Sequence, residues 1–246
     1  MKKYDIRVLI LSRSRSDKIT TVKLLPDYIE VLVPESQKSE YEEKIKNPVI
    51  TTPDNIIGMG MLRNWILDNI KEETVIMLDD DIMRVYCNSE EKARAITDPE
   101  ELLQILINDA VIAKDMGVHV FGFTQTDIRK YNGTEPFKLN SWVSAVWGII
   151  GRKYRFRDDK FKVDIDYCLQ SLLVDRILFQ DTRYYFFQHR DDNTGGNSLF
   201  RTQEEFEKST QTLIDKWGDC IKVSNRHKNQ IRIALNVKRK QPLDVN

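Results

Sequence analysis

Residues 74–81 read Thr-Val-Ile-Met-Leu-Asp-Asp-Asp, an apolar stretch that ends in three consecutive aspartates. The run Thr74–Leu78 is the clearest strand of the chain, because it is short, continuously apolar and typical of a buried strand. In open α/β sheets, ligands bind outside the carboxyl ends of the strands, where the loops diverge. The stretch therefore predicts an α/β fold with a ligand site at Asp79, Asp80 and Asp81.

The three carboxylates indicate a cation. Adjacent aspartates repel one another and resist desolvation, so their proximity favours a compensating positive charge. Alternate residues of a strand point the same way, which allows Asp79 and Asp81 to share one side. Oxygen ligands of this kind suit Mg²⁺ or Mn²⁺ together with substrate phosphates. A solvated acidic turn is the alternative interpretation, and the buried strand before the cluster favours the metal site.

The remaining pattern alternates strands with helices through most of the first half of the chain, which predicts an α/β/α sandwich with a mostly parallel sheet. We expect one domain over residues 1–220 and a basic C-terminal extension over 221–246. Predicted strands are Ile6–Leu11, Tyr28–Val33, Val49–Thr51, Thr74–Leu78, His119–Thr124, Ser144–Ile150, Ile177–Phe187 (with a break near Asp181) and Gln230–Leu235. Predicted helices are Ser36–Lys46, Met59–Ile70, a helix from Pro99 to about Met116 that stops at Gly117, Asp164–Asp175 and Thr202–Trp217.

Composition excludes several classes of protein. The 246 residues are 41% hydrophobic, with 38 Lys and Arg against 38 Asp and Glu, which excludes a disordered chain and argues against a uniformly basic nucleic-acid coat protein. The longest apolar runs are far shorter than a membrane span. The cysteines Cys87, Cys168 and Cys220 are widely spaced and indicate neither a disulfide framework nor a zinc site. With no signal peptide visible, we expect a cytoplasmic protein that does not contact a membrane.

Two polar segments near the acidic cluster are candidates for ligand binding. The helix that opens at Gly58-Met59-Gly60-Met61-Leu62-Arg63 could present backbone N–H groups to an anion, and Arg63 could pair with a phosphate or a base edge. The first predicted strand ends in a polar turn that contains Ser12, Arg13 and Arg15.

The order Gly58, Arg63-Asn64, helix, apolar strand and Asp-Asp-Asp resembles the nucleotide-sugar-binding half of GT-A-fold glycosyltransferases, whose fold is Rossmann-related. The resemblance implies that Asp79 and Asp81 form the Asp-x-Asp motif that grips the metal bridging the diphosphate of the sugar donor, with Asp80 adjoining. It also implies that Leu9–Arg15 flanks the nucleoside. A UDP-sugar is the expected donor, and Mn²⁺ or Mg²⁺ is the expected cofactor.

The second half carries a matching signal. Residues 162–170, Lys-Val-Asp-Ile-Asp-Tyr-Cys-Leu-Gln, resemble the acidic helix start that supplies the acceptor-side base in many inverting GT-A enzymes. A carboxylate at a helix N-terminus is favoured by the helix dipole and can accept a hydroxyl proton. Asp164 and Asp166 would point about 200° apart on a regular helix, so we expect only one of them to face the acceptor. N-capping by Asp164 explains the same residues without catalysis.

The family also implies a late residue that completes the metal shell, for which His189 is the candidate; a surface histidine is the alternative. Gly195-Gly196 would let a loop fold over the donor. Within the fold, Ile6–Ser198 most closely resembles the TET/J-binding-protein-associated glycosyltransferases, largely from phages. That resemblance implies transfer of a sugar to a hydroxymethylated pyrimidine in DNA.

A DNA acceptor is compatible with the charge distribution. Residues 221–246 contain seven lysines and arginines against Asp244 alone, so the neutral total hides a basic C-terminal end. Such an end can follow a phosphate backbone, although solubilising tails are also basic. Trp142, Trp147, Tyr184 and Tyr185 are candidates for stacking on a base that must be flipped out of a duplex, or else for buried aromatic residues. The expected DNA-binding residues are Arg226, Lys228, Lys238, Arg239 and Lys240.

The sequence is compatible with three other interpretations: a glycosyltransferase with a non-DNA acceptor such as a glycan, a nucleotidyltransferase, and a non-catalytic nucleic-acid-binding protein. A nucleotidyltransferase would usually place a glycine-containing phosphate loop near the first strand, and residues 12–16 contain no glycine. A non-catalytic protein leaves the aspartate cluster without a role. The sugar, the stereochemistry and the oligomeric state also remain open, since a retaining enzyme needs no acceptor-side base.

Overall fold

The computed structural model describes residues 4–88, 93–125, 127, 135–158, 161–188, 202–227 and 230–237. The strands, numbered in chain order, are β1 (Ile6–Leu11), β2 (Glu30–Pro34), β3 (Val49–Thr52), β4 (Thr74–Asp79), β5 (Ile82–Cys87), β6 (Arg94–Ile96), β7 (Val120–Thr124), β8 (Phe137–Lys138), β9 (Val146–Ile150), β10 (Phe179–Gln188), β11 (Ile221–His227) and β12 (Gln230–Leu235). The helices are α1 (Lys38–Glu42), α2 (Met59–Asn69), α3 (Pro99–Asp115), α4 (Val163–Val174) and α5 (Gln203–Trp217). Short 3₁₀ helices occupy Thr21–Lys23, Glu35–Gln37 and Gly218–Cys220.

Ten strands form one central sheet in the order β3-β2-β1-β4-β9-β7-β10-β5-β6, with β8 paired to β10. Strands β3, β2, β1 and β4 are mutually parallel, and β10 is parallel to β7. Strand β9 is antiparallel to both of its neighbours, so among the described strands from β3 to β10 in this order it alone is reversed. The sheet is therefore mostly parallel, as the sequence predicts.

Both faces of the central strands are covered, which explains why these strands are continuously apolar. In β4, Val75 and Met77 pack with the apolar sides of α2 and α4, whereas Ile76 and Leu78 pack with α3 on the opposite face. This alternation follows from the two-residue period of a strand. The result is the predicted α/β/α sandwich, and it brings the carboxyl ends of β1 and β4 side by side.

Most predicted elements lie within a few residues of the observed ones. Helix α3 begins as expected, because the Asp98 side chain accepts a hydrogen bond from the backbone N–H of Glu100 and Pro99 occupies the first turn. The predicted break in β10 is confirmed by a register shift between Asp181 and Tyr185. The single helix predicted over Ser36–Lys46 is wrong in extent, since this segment forms a 3₁₀ turn followed by the short α1.

Strands β5, β6, β8 and β11 are additions to the sequence prediction. Strands β11 and β12 form a separate hairpin in which Ile221 pairs with Leu235. Leu235 and Val237 pack against core residues of α4 and α5. The start of the basic C-terminal segment is thus folded against the main domain. In the described ranges, none of the helices combines the length and the apolar character needed to cross a membrane.

A buried carboxyl pair lies on the α3 face of the sheet. Asp109 of α3 is 1% exposed and Asp181 of β10 is 0% exposed. Arg183 donates from Nη2 to Asp181 Oδ2 at 2.6 Å, while its distance to Asp109 Oδ1 is 3.5 Å. Burial and the neighbouring Asp181 carboxylate raise the pKa of Asp109. Within the described part of the chain, Asp109 Oδ2 has no hydrogen-bond partner.

Replacing Asp109 by Asn should flatten the dependence of stability on pH. The raised pKa keeps Asp109 protonated in the native protein at pH values where it is already ionised in the unfolded chain. The raised pKa therefore contributes stability that is complete at acidic pH and is lost as the pH rises towards the native pKa, by up to about 1.4 kcal/mol per pH unit. Urea denaturation from mildly acidic to mildly alkaline pH measures this slope. An identical slope for Asp109→Asn and the wild type would contradict the assignment.

Candidate active site

A cavity of about 300 Å³ opens where the carboxyl ends of β1 and β4 meet. Its walls come from five parts of the chain: the loop after β1, the start of α2, the end of β4, β9 and the start of α4. The lining includes the sequence-predicted residues Ser12, Arg13, Arg15, Arg63, Asp79, Asp80, Asp81 and Asp164. The predicted donor-side and acceptor-side segments therefore face one cavity, although they lie far apart in sequence.

Asp79 and Asp81 converge on a single point. The side-chain amide of Gln188, the last residue of β10, donates from Nε2 to Asp81 Oδ1 at 2.7 Å and to Asp79 Oδ2 at 3.3 Å. One nitrogen atom thus lies within reach of both carboxylates, as a single cation would. Gln188 Oε1 in turn accepts a hydrogen bond from Gln125 Nε2. Desolvation raises the pKa of Asp79 to about 6, because it outweighs the opposing effect of the Arg63 guanidinium.

Two carboxylates and a carboxamide are oxygen-bearing groups of the type that Mg²⁺ and Mn²⁺ prefer. The described residues contain no group of three or more His, Cys, Asp or Glu side chains arranged to hold a metal. His189, which is predicted to complete the shell, lies outside the described residues. The residues that could hold a cation in this part of the chain are therefore Asp79 and Asp81, with Gln188 beside them.

Asp80 points away from its two neighbours into a buried polar network. It is 4% exposed, accepts a hydrogen bond from the Ser12 hydroxyl and pairs with Arg15, whose Nη1 lies 2.7 Å from Asp80 Oδ1. Tyr41, which is 0% exposed, holds the same loop, since its hydroxyl lies 2.6 Å from Ser12 Oγ and accepts from the backbone N–H of Arg15 at 3.0 Å. Burial raises the pKa of Asp80, against the opposing effect of Arg15. Asp80 thus shapes the loop after β1.

Arg63 forms part of the cavity floor. Its guanidinium carbon lies 4.9 Å from the ring centroid of Trp147 and 5.3 Å from that of Phe156, both cation–π distances. Its Nη2 lies 3.8 Å from Asp79 Oδ1. Burial lowers the pKa of Arg63, and the negative charges of Asp79 and Asp164 oppose this effect. Among the described residues, neither Arg63 Nε nor Trp147 Nε1 has a hydrogen-bond partner, which leaves two polar donors unsatisfied in this floor.

The glycines at the start of α2 have two distinct structural roles. Gly58 precedes the helix with φ +97°, a left-handed conformation that favours glycine. A Cβ atom on Gly60 would lie only 1.8 Å from the backbone oxygen of Arg157. Asn64, one turn further on, exchanges two hydrogen bonds with the backbone of Phe156, at 2.8 and 2.9 Å. The first turns of α2 are therefore fastened to the segment that leads into α4.

The two acidic residues of α4 have different surroundings. Asp164 is partly exposed and lines the cavity. Asp166 is 0% exposed and does not line the cavity. Its Oδ1 accepts hydrogen bonds at 2.7 Å from both Lys216 Nζ and Trp217 Nε1, which attach α5 to α4. The expectation that only one of the pair faces the cavity agrees with this geometry, and the residue that does so is Asp164.

The other predicted residues divide into those inside and those outside the described ranges. Arg226 belongs to β11. His189, Gly195-Gly196, Lys228, Lys238, Arg239 and Lys240 lie outside. Of the predicted stacking residues, Trp147 is buried in the cavity floor and Tyr184 packs against the α3-side core, while Trp142 is 36% exposed.

Sequence reasoning missed Tyr41 and Gln188. Tyr41 lies in a charged segment with no apolar pattern that would mark a buried hydroxyl. Gln188 has an uncharged side chain that contacts Asp81 from a position 107 residues later in the chain. The only available signal was its position at the end of a predicted strand, next to the candidate His189.

A family model described as TET-Associated Glycosyltransferase matches residues 6–196. The fold is also similar to that of solved structures. Staphylococcus aureus TarS in complex with UDP-GlcNAc has a TM-score of 0.50 and 14% identity, over 86% of this chain and 66% of that chain. Mycobacterium tuberculosis glucosyl-3-phosphoglycerate synthase in complex with Mn²⁺, UDP and glucosyl-3-phosphoglycerate has a TM-score of 0.50 and 11% identity. The match covers 94% of this chain and 86% of that chain. A mycobacterial protein has a TM-score of 0.51 and 13% identity, and the match covers 94% of this chain and 83% of that chain.

At these identities the structural likeness shows a shared fold, which is the GT-A type. The chain spans between 39% and 66% of the length of the TarS chains that it matches. No curated protein matches the chain significantly in sequence.

Proposed function

Since the chain belongs to the family of TET-associated glycosyltransferases, we propose that it moves a sugar from a UDP-sugar to the hydroxyl group of a hydroxymethylated pyrimidine in DNA. The observation that carries this proposal is the convergence of Asp79 and Asp81 on one nitrogen atom at a cavity that Asp164 also lines. A transferase needs these two elements on one cavity: a cation-binding pair for the donor and a carboxylate for the acceptor.

On the donor side, Asp79 and Asp81 would hold a divalent metal ion. When bound, the ion supplies Lewis-acid stabilisation of the diphosphate leaving group. The structural neighbours support this choice of donor and metal, because S. aureus TarS binds UDP-GlcNAc and the M. tuberculosis synthase binds UDP and Mn²⁺. We therefore expect a UDP-sugar with Mn²⁺ or Mg²⁺.

The remaining donor contacts come from the floor of the cavity and from the loop after β1. Arg63 adds a fixed positive charge beside Asp79, and the rings of Trp147 and Phe156 hold its guanidinium in place. Ser12, Arg13 and Arg15 border the cavity, where they would flank the nucleoside. Because Asp80 and Tyr41 hold this loop through buried hydrogen bonds, the donor would meet a preformed surface.

On the acceptor side, Asp164 would accept the proton of the attacking hydroxyl group. It lies in the first turn of α4 and lines the same cavity as the carboxylate pair. An oxygen nucleophile gains reactivity as its proton is transferred to a positioned carboxylate. Direct attack on the anomeric carbon with departure of the diphosphate inverts that centre, so we propose an inverting reaction.

The DNA acceptor is supported by the family description and by the basic residues of the C-terminal segment. Seven lysines and arginines lie in residues 221–246, and Arg226 is part of the folded hairpin. Lysine and arginine side chains that contact DNA phosphates add affinity without distinguishing one base sequence from another.

The test is mass analysis of nucleosides from DNA incubated with the protein. Oligonucleotides that contain hydroxymethylcytosine or hydroxymethyluracil are incubated with a panel of UDP-, GDP- and ADP-sugars and with Mn²⁺ or Mg²⁺. We expect one modified nucleoside whose added mass is that of a single sugar residue, with a UDP-sugar and a metal ion present. Methylcytosine DNA is the matched control, because it lacks only the hydroxyl group.

Two results would contradict the proposal in different ways. Sugar transfer to a glycan but not to any hydroxymethylated DNA would refute the acceptor. Absence of any metal-dependent thermal stabilisation by every nucleotide sugar in the panel would refute the donor.

A further inference from the structure

Strands β5 and β10 carry a strip of large side chains on the α2/α4 side of the sheet. The side is set by alternation: Val85 and Phe186 pack with α3, so the residues on either side of them point the opposite way. The strip consists of Arg84, Tyr86, Tyr185 and Phe187, and we call these four residues the aromatic face.

The aromatic face is ordered by cross-strand pairing and remains accessible. Tyr185 lies opposite Tyr86, and Phe187 lies opposite Arg84. The two tyrosine rings stack with centroids 4.9 Å apart and an angle of 15° between their planes. Arg84 donates from Nη1 to the Tyr86 hydroxyl at 3.3 Å. Phe187 is 39% exposed, Arg84 is exposed and both tyrosines are partly exposed.

The aromatic face adjoins the candidate active site. Phe187 is followed directly by Gln188, whose side chain contacts both Asp79 and Asp81. The face also lies on the same side of the sheet as α4, whose first turn holds Asp164, and as Trp147 in the cavity floor. A molecule lying along the aromatic face would therefore reach the cavity from the side of β10.

We propose that the aromatic face binds unpaired nucleobases of the DNA acceptor by stacking, with Arg84 on a flanking phosphate. The proposal rests on the DNA acceptor of the proposed function and specifies where that acceptor lies. Aromatic side chains stack on any base because every base has a π-face. A hydroxymethyl group becomes reachable in a cavity only after its base leaves the duplex stack, so an acceptor site for unpaired bases is what this chemistry requires.

The position of the face favours nucleic acid over a protein partner. Aromatic and arginine side chains occur in both kinds of interface, but these four residues lie next to Gln188, which contacts the carboxylate pair of the cavity that would receive the acceptor base. A guanidinium beside stacking rings is suited to a phosphate that follows a stacked base.

The experiment measures binding of a fluorescent single-stranded oligonucleotide with one hydroxymethylcytosine, followed by the KM for DNA and the KM for the donor. Phe187→Ala and Tyr185→Ala should each weaken binding about 5- to 100-fold and raise the KM for DNA, with the KM for the donor unchanged. Tyr185→Trp keeps a stacking ring and should restore affinity. Arg84→Ala should lower the slope of log affinity against log salt by about one.

Tyr28→Ala is the matched control, because Tyr28 is 52% exposed and its hydroxyl pairs with Glu100, outside the aromatic face. Thermal unfolding of every variant separates lost stacking from lost folding, and Phe187→Ala carries the test if Tyr185→Ala does not fold.

The outcomes separate the two hypotheses. If the wild type glycosylates DNA while Phe187→Ala and Tyr185→Ala leave oligonucleotide affinity and the KM for DNA unchanged, the aromatic face is refuted and the proposed function stands. If the variants weaken oligonucleotide binding but the wild type modifies no DNA, the face is supported and the proposed function fails. A wild type that does not bind the oligonucleotide refutes the aromatic face, while the mass analysis of modified DNA still decides the proposed function.

Discussion

Asp79→Asn and Asp81→Asn should each reduce sugar transfer by about a thousand-fold, which corresponds to the several kcal/mol that a catalytic metal supplies. Each substitution removes one of the two carboxylates that converge on the Gln188 amide. An amide oxygen is neutral and binds a divalent cation far less strongly than a carboxylate. Both variants should therefore also lose the increase in melting temperature that a UDP-sugar and Mn²⁺ together produce in the wild type.

The matched control for this prediction is Asp68→Asn. Asp68 lies on α2, is about half exposed and pairs with Arg155, so the substitution removes a carboxylate without touching the cavity. It should keep both the transfer rate and the melting shift. Full metal-dependent stabilisation of Asp79→Asn and Asp81→Asn would show that the cation lies elsewhere.

Asp164→Asn should lower kcat by about 10²- to 10⁴-fold, the usual contribution of a general base, with little change in donor binding. The amide cannot accept the hydroxyl proton, whereas its size preserves the shape of the cavity. The melting shift with UDP-sugar and Mn²⁺ should therefore survive, in contrast to the result for the Asp79 and Asp81 variants. The measurement is single-turnover transfer to hydroxymethylated DNA as a function of pH.

Asp166→Asn is the comparison that isolates this effect, because Asp166 lies two residues further along the same helix. Its carboxylate is buried and bonded to Lys216 and Trp217, so the variant should lose about 1–3 kcal/mol of stability. The folded fraction should transfer sugar at close to the wild-type rate. If Asp166→Asn lowered kcat as much as Asp164→Asn, the assignment of Asp164 as the base would fail. Undiminished transfer by Asp164→Asn would instead favour a retaining reaction.

Local periodicity was enough to predict the fold class and the geometry of the aspartate cluster. The two-residue period of a strand predicts that the side chains of Asp79 and Asp81 lie on the same side of the strand. Their common contact with Gln188 agrees with this prediction. Helical spacing likewise separates Asp164 from Asp166. Which of these two faces the cavity depends on Lys216 and Trp217, about fifty residues later, and no local pattern contains that information.

The direction of β9 and the presence of β5 were also beyond local pattern. A buried apolar strand such as Val146–Ile150 has the same sequence pattern whether its neighbouring strands are parallel or antiparallel to it. Strand β5 begins at Ile82, directly after the two-residue turn Asp80-Asp81, and its pairing with β10 joins segments about a hundred residues apart. The aromatic face is formed only by that pairing. From the sequence alone, Tyr185 was therefore one of several aromatic residues that could stack on a base.

The fastening of α2 to the segment before α4 should couple the binding of the two proposed substrates. The Gly60 backbone lies against the Arg157 carbonyl and the Asn64 amide pairs with Phe156, so a shift of the donor-side helix displaces the approach to Asp164 as well. Donor occupancy should then change the affinity for the acceptor, and linkage requires the acceptor to change the donor affinity by the same factor. Because only a glycine allows this close contact, Gly60 would control the cooperativity between the binding of the nucleotide sugar and the binding of DNA.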